Sequence, residues 1–230
     1  MSEIHLTVAG EAHLCFAQEI CTLMEQAAQQ RGTGIAKRSP LYISAKMMEG
    51  KAIIAIANGR PAGFCYIETW GHGKYVANSG LIVHPDFRNT GLAKRIKDEI
   101  FKLSRKKFPE AKIFGITTSL AVMKINSDLG YKPVTFSELT TDEDFWKGCQ
   151  SCVNYDILTR TQRSHCLCTG MLYDPEKASK SSIQSSTRDE RWQKFKRFIK
   201  LEGLKESADR LKQKIKDKSK NNNSSWLTKI

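Results

Sequence analysis

A turn at the start of a basic helix is the first segment whose residues suggest chemistry. It lies in VHPDFRNTGLAKRI, which begins at Val83, follows the apolar run YVANSGLIV and leads into LAKRIKDEIFKLSRKKF. The run predicts a strand, and Leu92, Ile96 and Ile100 recur at helical spacing after the turn. Gly91 therefore stands at a helix start, where backbone N–H groups have no partner within the helix. The helix dipole favours an anion there, and we expect a phosphate or pyrophosphate.

Two residues close to this turn in the sequence are candidates for proton transfer. Glu68 ends the segment GFCYIE and is the candidate general base. Its alternative is a solvated carboxylate at the end of a strand. His84 stands just before Pro85 and is a candidate relay, with a surface or half-buried histidine as the alternative.

A cationic segment, RGTGIAKRSP, separates two predicted helices. Its residues Arg31, Lys37 and Arg38 concentrate positive charge, and an arginine can bind a carboxylate through two parallel hydrogen bonds. The segment therefore favours an acidic ligand, with a solvated basic loop as the alternative.

Four cysteines form two close pairs near the end of the predicted globular part. Cys149 and Cys152 form a C-x-x-C, and Cys166 and Cys168 form a C-x-C. A C-x-C on a strand places both side chains on one face, so the two pairs predict a structural zinc site. The alternative is a set of small buried thiols that pack the last hairpin.

The positive charge is concentrated towards the C-terminus. The chain has 230 residues, 40% of them hydrophobic, and a net charge of +13. The segment 176–230 holds 16 of the 37 Lys and Arg residues but only 7 of the 24 Asp and Glu residues. We expect one globular domain in residues 1–175, followed in 176–230 by a polar linker and a basic helical tail with a disordered end.

Several classes of protein are excluded by the same sequence. No segment is long and apolar enough to span a bilayer, and the first residues, MSEIHLTVAG, lack the order of a signal peptide. Seven cysteines without such a signal predict reduced thiols rather than a disulfide framework. We therefore expect a cytoplasmic protein without a membrane span.

The tail has three possible partners. Its amphipathic segment carries Trp192, Phe195 and Ile199, which favour docking on its own domain or on a second subunit, as in a homodimer. An anionic membrane surface and RNA are the alternatives. Because no recognisable RNA-binding module is present, we expect no specific nucleic-acid partner.

Periodicity predicts the elements that position the candidate residues. The expected order is strand, helix, short helix, a hairpin around NGRP, then the strand and helix that flank the turn. A strand in AKIFGITT and a helix in SLAVMKINSDLGY follow. After the connecting segment PVTFSELTTDEDFWKGCQ, SCVNYDILTR and HCLCTGMLYD are expected to form a final antiparallel pair.

This order of elements resembles the GNAT superfamily of N-acyltransferases. Val83, Pro85, Arg88, Gly91 and Ala93 are similar to the acyl-CoA motif of that family, an Arg/Gln-x-x-Gly-x-Gly/Ala turn behind a Val-x-Pro. The resemblance covers about residues 4 to 173 and implies an α/β (α+β) GNAT fold with a mixed central sheet flanked by helices.

The resemblance also implies a set of binding residues. The turn would hold the pyrophosphate of coenzyme A, the strand before it would pair with the pantetheine arm, and one strand amide would polarise the thioester carbonyl. Ser119 stands where the family often places an Asn that contacts the cofactor. The implied residues are Leu81, Ile82, Val83, Arg88, Asn89, Thr90, Gly91, Leu92, Ala93, Lys94 and Ser119.

One position departs from the family pattern. The reaction implied is direct attack of a neutral amine on the acyl thioester, and many members use a Tyr in Tyr-x-x-x-Gly-Phe/Tyr to protonate the leaving thiolate. Here INSDLGY places Asn126 at that position. An Asn donates a hydrogen bond but no usable proton, so Tyr131 or Tyr155 would replace it, or the thiolate would leave unassisted.

A narrower resemblance concerns the acceptor. RGTGIAKRSPLYI, GFCYIETW, ANSGLIV and GYKPVTFSELTTDEDFWKGCQSC are together similar to a GNAT subgroup associated with bacterial arginine biosynthesis. That likeness implies transfer from acetyl-CoA or succinyl-CoA to the α-amine of glutamate, a small-molecule acceptor that suits the cationic segment. A protein or ribosomal acceptor and a non-catalytic CoA-binding module are the alternatives.

Overall fold

The structure is a computed structural model that describes residues 3–31 and 37–178. Its strands are β1 (Ile4–Val8), β2 (Ala52–Ala57), β3 (Arg60–Trp70), β4 (Tyr75–Val83), β5 (Lys112–Thr117), β6 (Lys132–Val134) and β7 (Thr169–Tyr173). Its α-helices are α1 (Ala17–Arg31), α2 (Pro40–Met48), α3 (Leu92–Lys107), α4 (Leu120–Asp128), α5 (Glu143–Lys147) and α6 (Tyr155–Arg160).

The strands form one mixed sheet in the order β1-β2-β3-β4-β5-β7-β6. All neighbouring strands are antiparallel except β4 and β5, which are parallel. Helices cover both faces, because each face of the sheet is apolar. On one face, α3 buries Leu92, Ile96 and Ile100; on the other, α1 and α2 bury Ile20 and Met47. The predicted fold class is confirmed.

The only parallel pair in this sheet is short, and this creates an opening. The strands β4 and β5 pair only from Tyr75 to Ala77, opposite Lys112 to Phe114. Beyond that point β4 stays paired with β3, whereas β5 continues alongside β7. The two strands therefore separate, and the edge of β4 that faces β5 has no ladder partner among the described residues.

A β-bulge lies within the open part of β4. The register against β3 shifts between Ile82, opposite Phe64, and Ser79, opposite Tyr66. Gly80 lies in the bulge with a φ of +63°. A Cβ there would lie 2.3 Å from Cε1 of Tyr66, so both the backbone conformation and the close packing require glycine.

The predicted final antiparallel pair is wrong. The segment SCVNYDILTR contains the helix α6, in which Leu158 is buried. Val153, two residues before the start of α6, is 71% exposed. The strand β7 pairs instead with β5 and with β6, which lies in the segment predicted as a connection. A short apolar segment fits a helix or a strand, and the long edge of β5 decided the pairing.

Most of the predicted tail lies outside the described residues. Of 176–230, only residues 176–178 are described. Trp192, Phe195 and Ile199 lie in the remainder, so their docking and the predicted homodimer stay predictions. Among the described residues, no helix has the length and apolar character needed to cross a membrane.

Candidate active site

The turn before α3 presents consecutive unpaired amides. Gly91 is the N-cap of α3 with a left-handed φ of +79°, and Asn89 also has a positive φ, +62°. Among the described residues, the amides from Asn89 to Ala93 have no hydrogen-bond partner. Such an array is suited to an anion. The Lys94 amide is an exception to the predicted set, since it donates to the Gly91 carbonyl at 3.1 Å.

Side chains fix the shape of this turn. The Thr90 hydroxyl donates to the Phe87 carbonyl at 2.7 Å, and Arg88 Nε donates to the Val83 carbonyl at 3.4 Å. Phe87 is buried, whereas Arg88 is exposed. The guanidinium of Arg88 therefore lies against the end of β4, next to the unpaired amides, where it adds positive charge.

The open edge of β4 offers amides in alternation. The His84 amide donates to the Ala62 carbonyl of β3 at 2.9 Å. Because amides point to alternate sides along a strand, that of Ile82 also faces β3, whereas those of Leu81 and Val83 face the opening. Two of the three predicted residues thus present their amides to an extended ligand, and Ile82 contributes a buried side chain below them.

A buried ion pair lies on the α2 face of the sheet. Glu68 of β3 is 8% exposed, and its Oε2 lies 2.9 Å from Nζ of Lys46 on α2. Its Oε1 has no hydrogen-bond partner in the described part of the chain. Burial raises the pKa of Glu68 to about 7, against the opposing effect of Arg38. Burial also lowers the pKa of Lys46. A carboxyl group with such a pKa can take a proton near neutral pH.

Arg38 is held beside this pair by two tyrosines. Its Nε donates to the Tyr66 hydroxyl at 2.9 Å, and its Cζ lies 5.1 Å from the centre of the Tyr42 ring. Lys46 Nζ lies 5.0 Å from the same ring. The helix α2 positions Tyr42 and Lys46, because residues four apart lie on one face. Two cations and a carboxyl group therefore meet around one aromatic ring.

The other two predicted acceptor residues differ from Arg38. Lys37 is exposed, and its Nζ lies 3.3 Å from Glu25 on α1. Arg31 ends α1, and its side chain lies outside what the structure describes, as do residues 32–36. Within the cationic segment, Arg38 is thus the residue for which the structure shows an ordered place near Glu68.

Two of the candidates for the acid, Asn126 and Tyr131, are buried on the opposite face of the sheet. Asn126 of α4 is 1% exposed, and its Oδ1 has no partner in the described part of the chain. Tyr131 is equally buried, and its hydroxyl donates to Asn78 Oδ1 at 3.0 Å. Burial raises the pKa of Tyr131 well above its ordinary value. Tyr131 is therefore bound to Asn78 rather than free to approach a ligand from the Glu68 face.

Two further candidates have structural partners. The Ser119 hydroxyl caps α4 by accepting from the Val122 amide at 3.4 Å. Tyr155 begins α6 and packs against the apolar cluster around Trp146, on the same face as Glu68. The roles predicted for Glu68, Asn126, Tyr131 and Ser119 stay predictions.

A comparison of the sequence with protein families agrees with the open β4 edge and the turn that follows it. Residues 23–121 match the profile of the acetyltransferase (GNAT) family. The chain contains a GNAT acetyltransferase domain. The predicted family and the predicted enzyme class, acyltransferases, are confirmed.

Solved structures share the fold of this GNAT domain at low identity. An N-acetylglutamate synthase from Neisseria gonorrhoeae, complexed with coenzyme A and N-acetyl-glutamate, is 14% identical with a TM-score of 0.53 over 76% of this chain and 35% of that chain. A Mycobacterium tuberculosis protein in complex with CoA is 14% identical with a TM-score of 0.53, over 74% and 98% of the two chains. A proposed acetyltransferase from Salmonella typhimurium with acetyl-CoA is 15% identical with a TM-score of 0.53, over 76% and 95%.

These matches establish the fold and no more. The chain spans about a third of the synthase chain, 35% of its length. A comparison with curated proteins gave no significant match.

The predicted zinc site is not supported in this GNAT domain. Among the described residues, no group of three or more His, Cys, Asp or Glu side chains is placed to hold a metal ion. Cys166 and Cys168 lie before β7 rather than on it, so the premise of a C-x-C on a strand fails. Cys149, Cys166 and Cys168 pack against the apolar cluster around Trp146. Burial raises the pKa of Cys149 to about 11 and that of Cys168 to about 12, so both are neutral thiols.

Several polar residues near the opening of the GNAT domain were missed from the sequence. Lys97 is one of several lysines in a basic helix and does not stand out in the sequence, but it is 2% exposed and lies next to the Leu92–Ile100 stripe. The sequence around Asn78 gives no sign of a functional role, because Asn78 is an uncharged residue within a strand. The same holds for Lys46, because its partner Glu68 lies on another element. The glycine in YVANSGLIV was the one available hint of the bulge at Gly80.

Proposed function

We propose that this protein is an acyl-CoA-dependent N-acyltransferase that acylates the amine of a small acidic acceptor. The observation that carries the proposal is the open edge of β4, which leads directly into the unpaired amides of Asn89–Ala93. An extended arm can pair with a free strand edge while its phosphates bind at the following helix start. Coenzyme A has this shape and charge, and the likeness to complexes with CoA supports the choice.

Catalysis would use residues on both sides of the opening. An amide of the β4 bulge region, that of Leu81, would polarise the thioester carbonyl as negative charge develops on its oxygen. The attacking amine must lose a proton, and Glu68, with its raised pKa, would accept it. The C–N bond forms, the C–S bond breaks, and the sulfur leaves with the electron pair as a thiolate.

The acceptor class follows from the cations beside Glu68. Arg38 is held by Tyr66 and Tyr42, and its Nη1 donates to the Lys37 carbonyl at 3.3 Å. Its Nη2 and the second N–H of Nη1 are left to bind a carboxylate. A carboxylate bound there would place the acceptor next to Glu68 and Lys46. We therefore propose a dicarboxylic amino acid as acceptor, with glutamate the first candidate and arginine biosynthesis the corresponding pathway. The acyl group would be acetyl or succinyl.

A cytoplasmic location belongs to the same proposal. All seven cysteines are free thiols, which supports a reducing compartment.

A competition assay tests this function. The full chain is incubated with acetyl-CoA, succinyl-CoA and an equimolar pool of free amino acids, and the products are read by mass spectrometry. We expect N-acetylglutamate or N-succinylglutamate, formed about 100-fold or more slowly by the Glu68→Gln variant. An acylated neutral or basic amino acid would overturn the acidic acceptor. If the protein binds CoA but acylates no amino acid, a macromolecular acceptor or a non-catalytic CoA-binding module is favoured. The reason to consider a non-catalytic module is that Asn126 occupies the position where many family members have a Tyr.

A further inference from the structure

Lys97 is a buried amine without a carboxylate partner. It lies on α3, is 2% exposed, and its Nζ is 3.3 Å from Asn78 Oδ1 and 5.3 Å from the centre of the Tyr131 ring. In the described part of the chain, no Asp or Glu pairs with it. A buried cation of this kind usually stabilises a protein less than a hydrocarbon side chain of similar volume. Packing of α3 therefore gives no reason for a lysine at this position.

The groups around Lys97 are neutral, so its charge is uncompensated. The titratable groups that face it are Cys65 of β3 and Tyr131, with Tyr173 of β7 beside Tyr131. Burial lowers the pKa of Lys97 to about 8, with Cys65 acting in the opposite direction. Burial raises the pKa of Cys65 to about 11 and that of Tyr131 well above 10. At pH 7, Lys97 is thus the charged member of the group.

Polar atoms near Lys97 are fixed by a hydrogen-bond network. Asn78 Oδ1 accepts from both Lys97 Nζ and the Tyr131 hydroxyl, and its Nδ2 donates to Ser104 Oγ at 2.7 Å. Ser104 in turn donates to the Ile100 carbonyl of α3 at 2.7 Å. Every polar atom of the Asn78 side chain is therefore used within the protein, and the ammonium keeps N–H groups that no described residue accepts.

This cluster lies under the apex of the opening between β4 and β5. Asn78 is the first residue of β4 beyond the ladder, which ends at Ala77 opposite Phe114. On β5, a Cβ added at Gly115 would lie 4.0 Å from Nδ2 of Asn126. From Val83 back to Asn78 the strand covers about 17 Å at 3.3–3.4 Å per residue. An acyl-CoA arm that starts at the turn, follows β4 and places its thioester carbonyl at Leu81 therefore holds its sulfur about 10 Å along the strand from Asn78.

We propose that Lys97 is a positioning residue that stabilises the departing CoA thiolate by placing an uncompensated positive charge beneath the apex, acting with Asn78 and Tyr131. This rests on the proposed function. When the amine attacks, its proton goes to Glu68 and the electron pair of the C–S bond goes to sulfur. Lys97 keeps its proton throughout and lowers the free energy of the new negative charge. The positive charge would thus stabilise the leaving sulfur, which a Tyr at position 126 would otherwise do by protonating it.

The acidity of the bound CoA thiol tests this role. The thiolate of CoA bound to the full chain is titrated by ultraviolet difference absorbance against the complex with desulfo-CoA, which cancels the absorbance of the protein's own cysteines. We expect the pKa of the bound thiol to lie about one unit below that of free CoA, a tenfold gain in acidity, because an uncompensated cation about 10 Å away favours the thiolate at a site shielded from water. The Lys97→Met variant should abolish this difference.

A matched control separates the local charge from the overall charge. Lys106→Met removes an exposed lysine from the same helix and should leave the acidity of the bound thiol unchanged. An unshifted thiol in the wild-type complex overturns the role of Lys97 even if Lys97→Met fails to fold. A wild type that binds CoA with an unshifted thiol leaves the proposed function intact, whereas a wild type that binds no CoA overturns both.

Discussion

Lys46 Nζ and Glu68 Oε2 lie 2.9 Å apart, with side chains only 14% and 10% exposed, although one residue is on α2 and the other on β3. The pair joins the helix that precedes the hairpin to the centre of the sheet. Burial acts against the charged form of each group. A contact of 2.9 Å between an ammonium and a carboxylate favours the charged form of both. The pKa of Glu68 is therefore set by a balance that a single substitution can move.

The pH dependence of the reaction should report on Glu68. If Glu68 is the base, kcat/KM falls as the pH drops below about 7, because the carboxyl is then protonated and cannot accept the proton of the amine. Glu68→Gln should lower kcat by about 100-fold or more and remove this acidic limb. Steady-state rates across the pH range measure both effects.

Lys46→Met provides the matched control for that experiment. Loss of the ammonium next to Oε2 removes a group that favours the carboxylate, so the pKa of Glu68 should rise and the acidic limb should move to higher pH. A Glu68→Gln enzyme that keeps the wild-type rate and profile would exclude Glu68 as the base.

Arg38 should govern the affinity for the acceptor. Arg38→Ala should raise the acceptor KM by about tenfold or more, because a hydrogen-bonded ion pair to the ground-state carboxylate is lost, while kcat falls less. Arg38→Lys keeps the charge but not the planar guanidinium, so its acceptor KM should lie between that of the wild type and that of Arg38→Ala. Initial rates with glutamate decide this.

Two controls accompany the Arg38 variants. The KM for acyl-CoA should stay the same, and Lys147→Ala, which removes an exposed cation on α5, should leave both constants unchanged. An acceptor KM that Arg38→Ala does not alter would mean that the cationic segment is a solvated loop.

The turn residue Gly91 allows a test of anion binding that isolates charge. A Cβ at this position would meet open space, and both Asn and Asp tolerate a left-handed φ better than other side chains. Gly91→Asp should weaken CoA binding by about 100-fold or more, since it places a carboxylate among amides that are expected to bind phosphate. Gly91→Asn should cost much less.

Calorimetric titration of CoA into both Gly91 variants gives the two affinities. Equal affinities would show that no phosphate binds at the turn. Circular dichroism of the two proteins checks that the fold is retained in each.

Local signals predicted much of this fold, and non-local contacts account for most of what was missed. The hairpin NGRP and the glycine turn before α3 were predicted because the residues that define them are adjacent in sequence. The helix α6 was misassigned because a short apolar segment carries no decisive period, and the edge that β7 needed was already provided by β5. Zinc was predicted from spacing that depended on this same misassigned hairpin.

The candidate site was predicted in parts for the same reason. Glu68 and Arg38 were identified by residue type, but their meeting depends on Tyr66, which lies on β3 and contacts a segment 28 residues away. Lys97 could not be distinguished from its solvated neighbours, because only the tertiary fold places Asn78 and Tyr131 against it.

Gly80 should matter for stability because of a contact made across strands. Gly80→Ala adds a Cβ 2.3 Å from Tyr66 Cε1 and 2.9 Å from Met24 Cε at a φ of +63°. We expect a loss of about 3 kcal/mol or more in the free energy of unfolding from strain and overpacking together. Gly59→Ala, at a φ of +73° in open space, should lose only about 1 kcal/mol. Equal losses in urea unfolding would show that the bulge accommodates a side chain.

The burial of Lys97 also predicts how stability depends on pH. Its pKa is lowered from 10.5 to about 8 in the folded state, so between these values the unfolded chain binds more protons and this group makes stability rise with pH. Below about pH 8 the folded protein binds this proton too, so the stabilisation that the neutral Lys97 side chain gives at high pH is lost as the pH falls through about 8. From pH 7 to pH 10, the free energy of unfolding of the wild type should therefore rise by about 2–3 kcal/mol relative to that of Lys97→Met.

Urea unfolding of wild type, Lys97→Met and Lys106→Met at the two pH values measures this difference. At pH 7 the Lys97→Met protein should be the most stable of the three, because a hydrocarbon replaces a buried, uncompensated cation. Lys106→Met should follow the wild type, since Lys106 is exposed. Parallel pH dependences for all three would mean that the Lys97 ammonium is solvated, and would remove the physical basis for a buried charge beneath the apex.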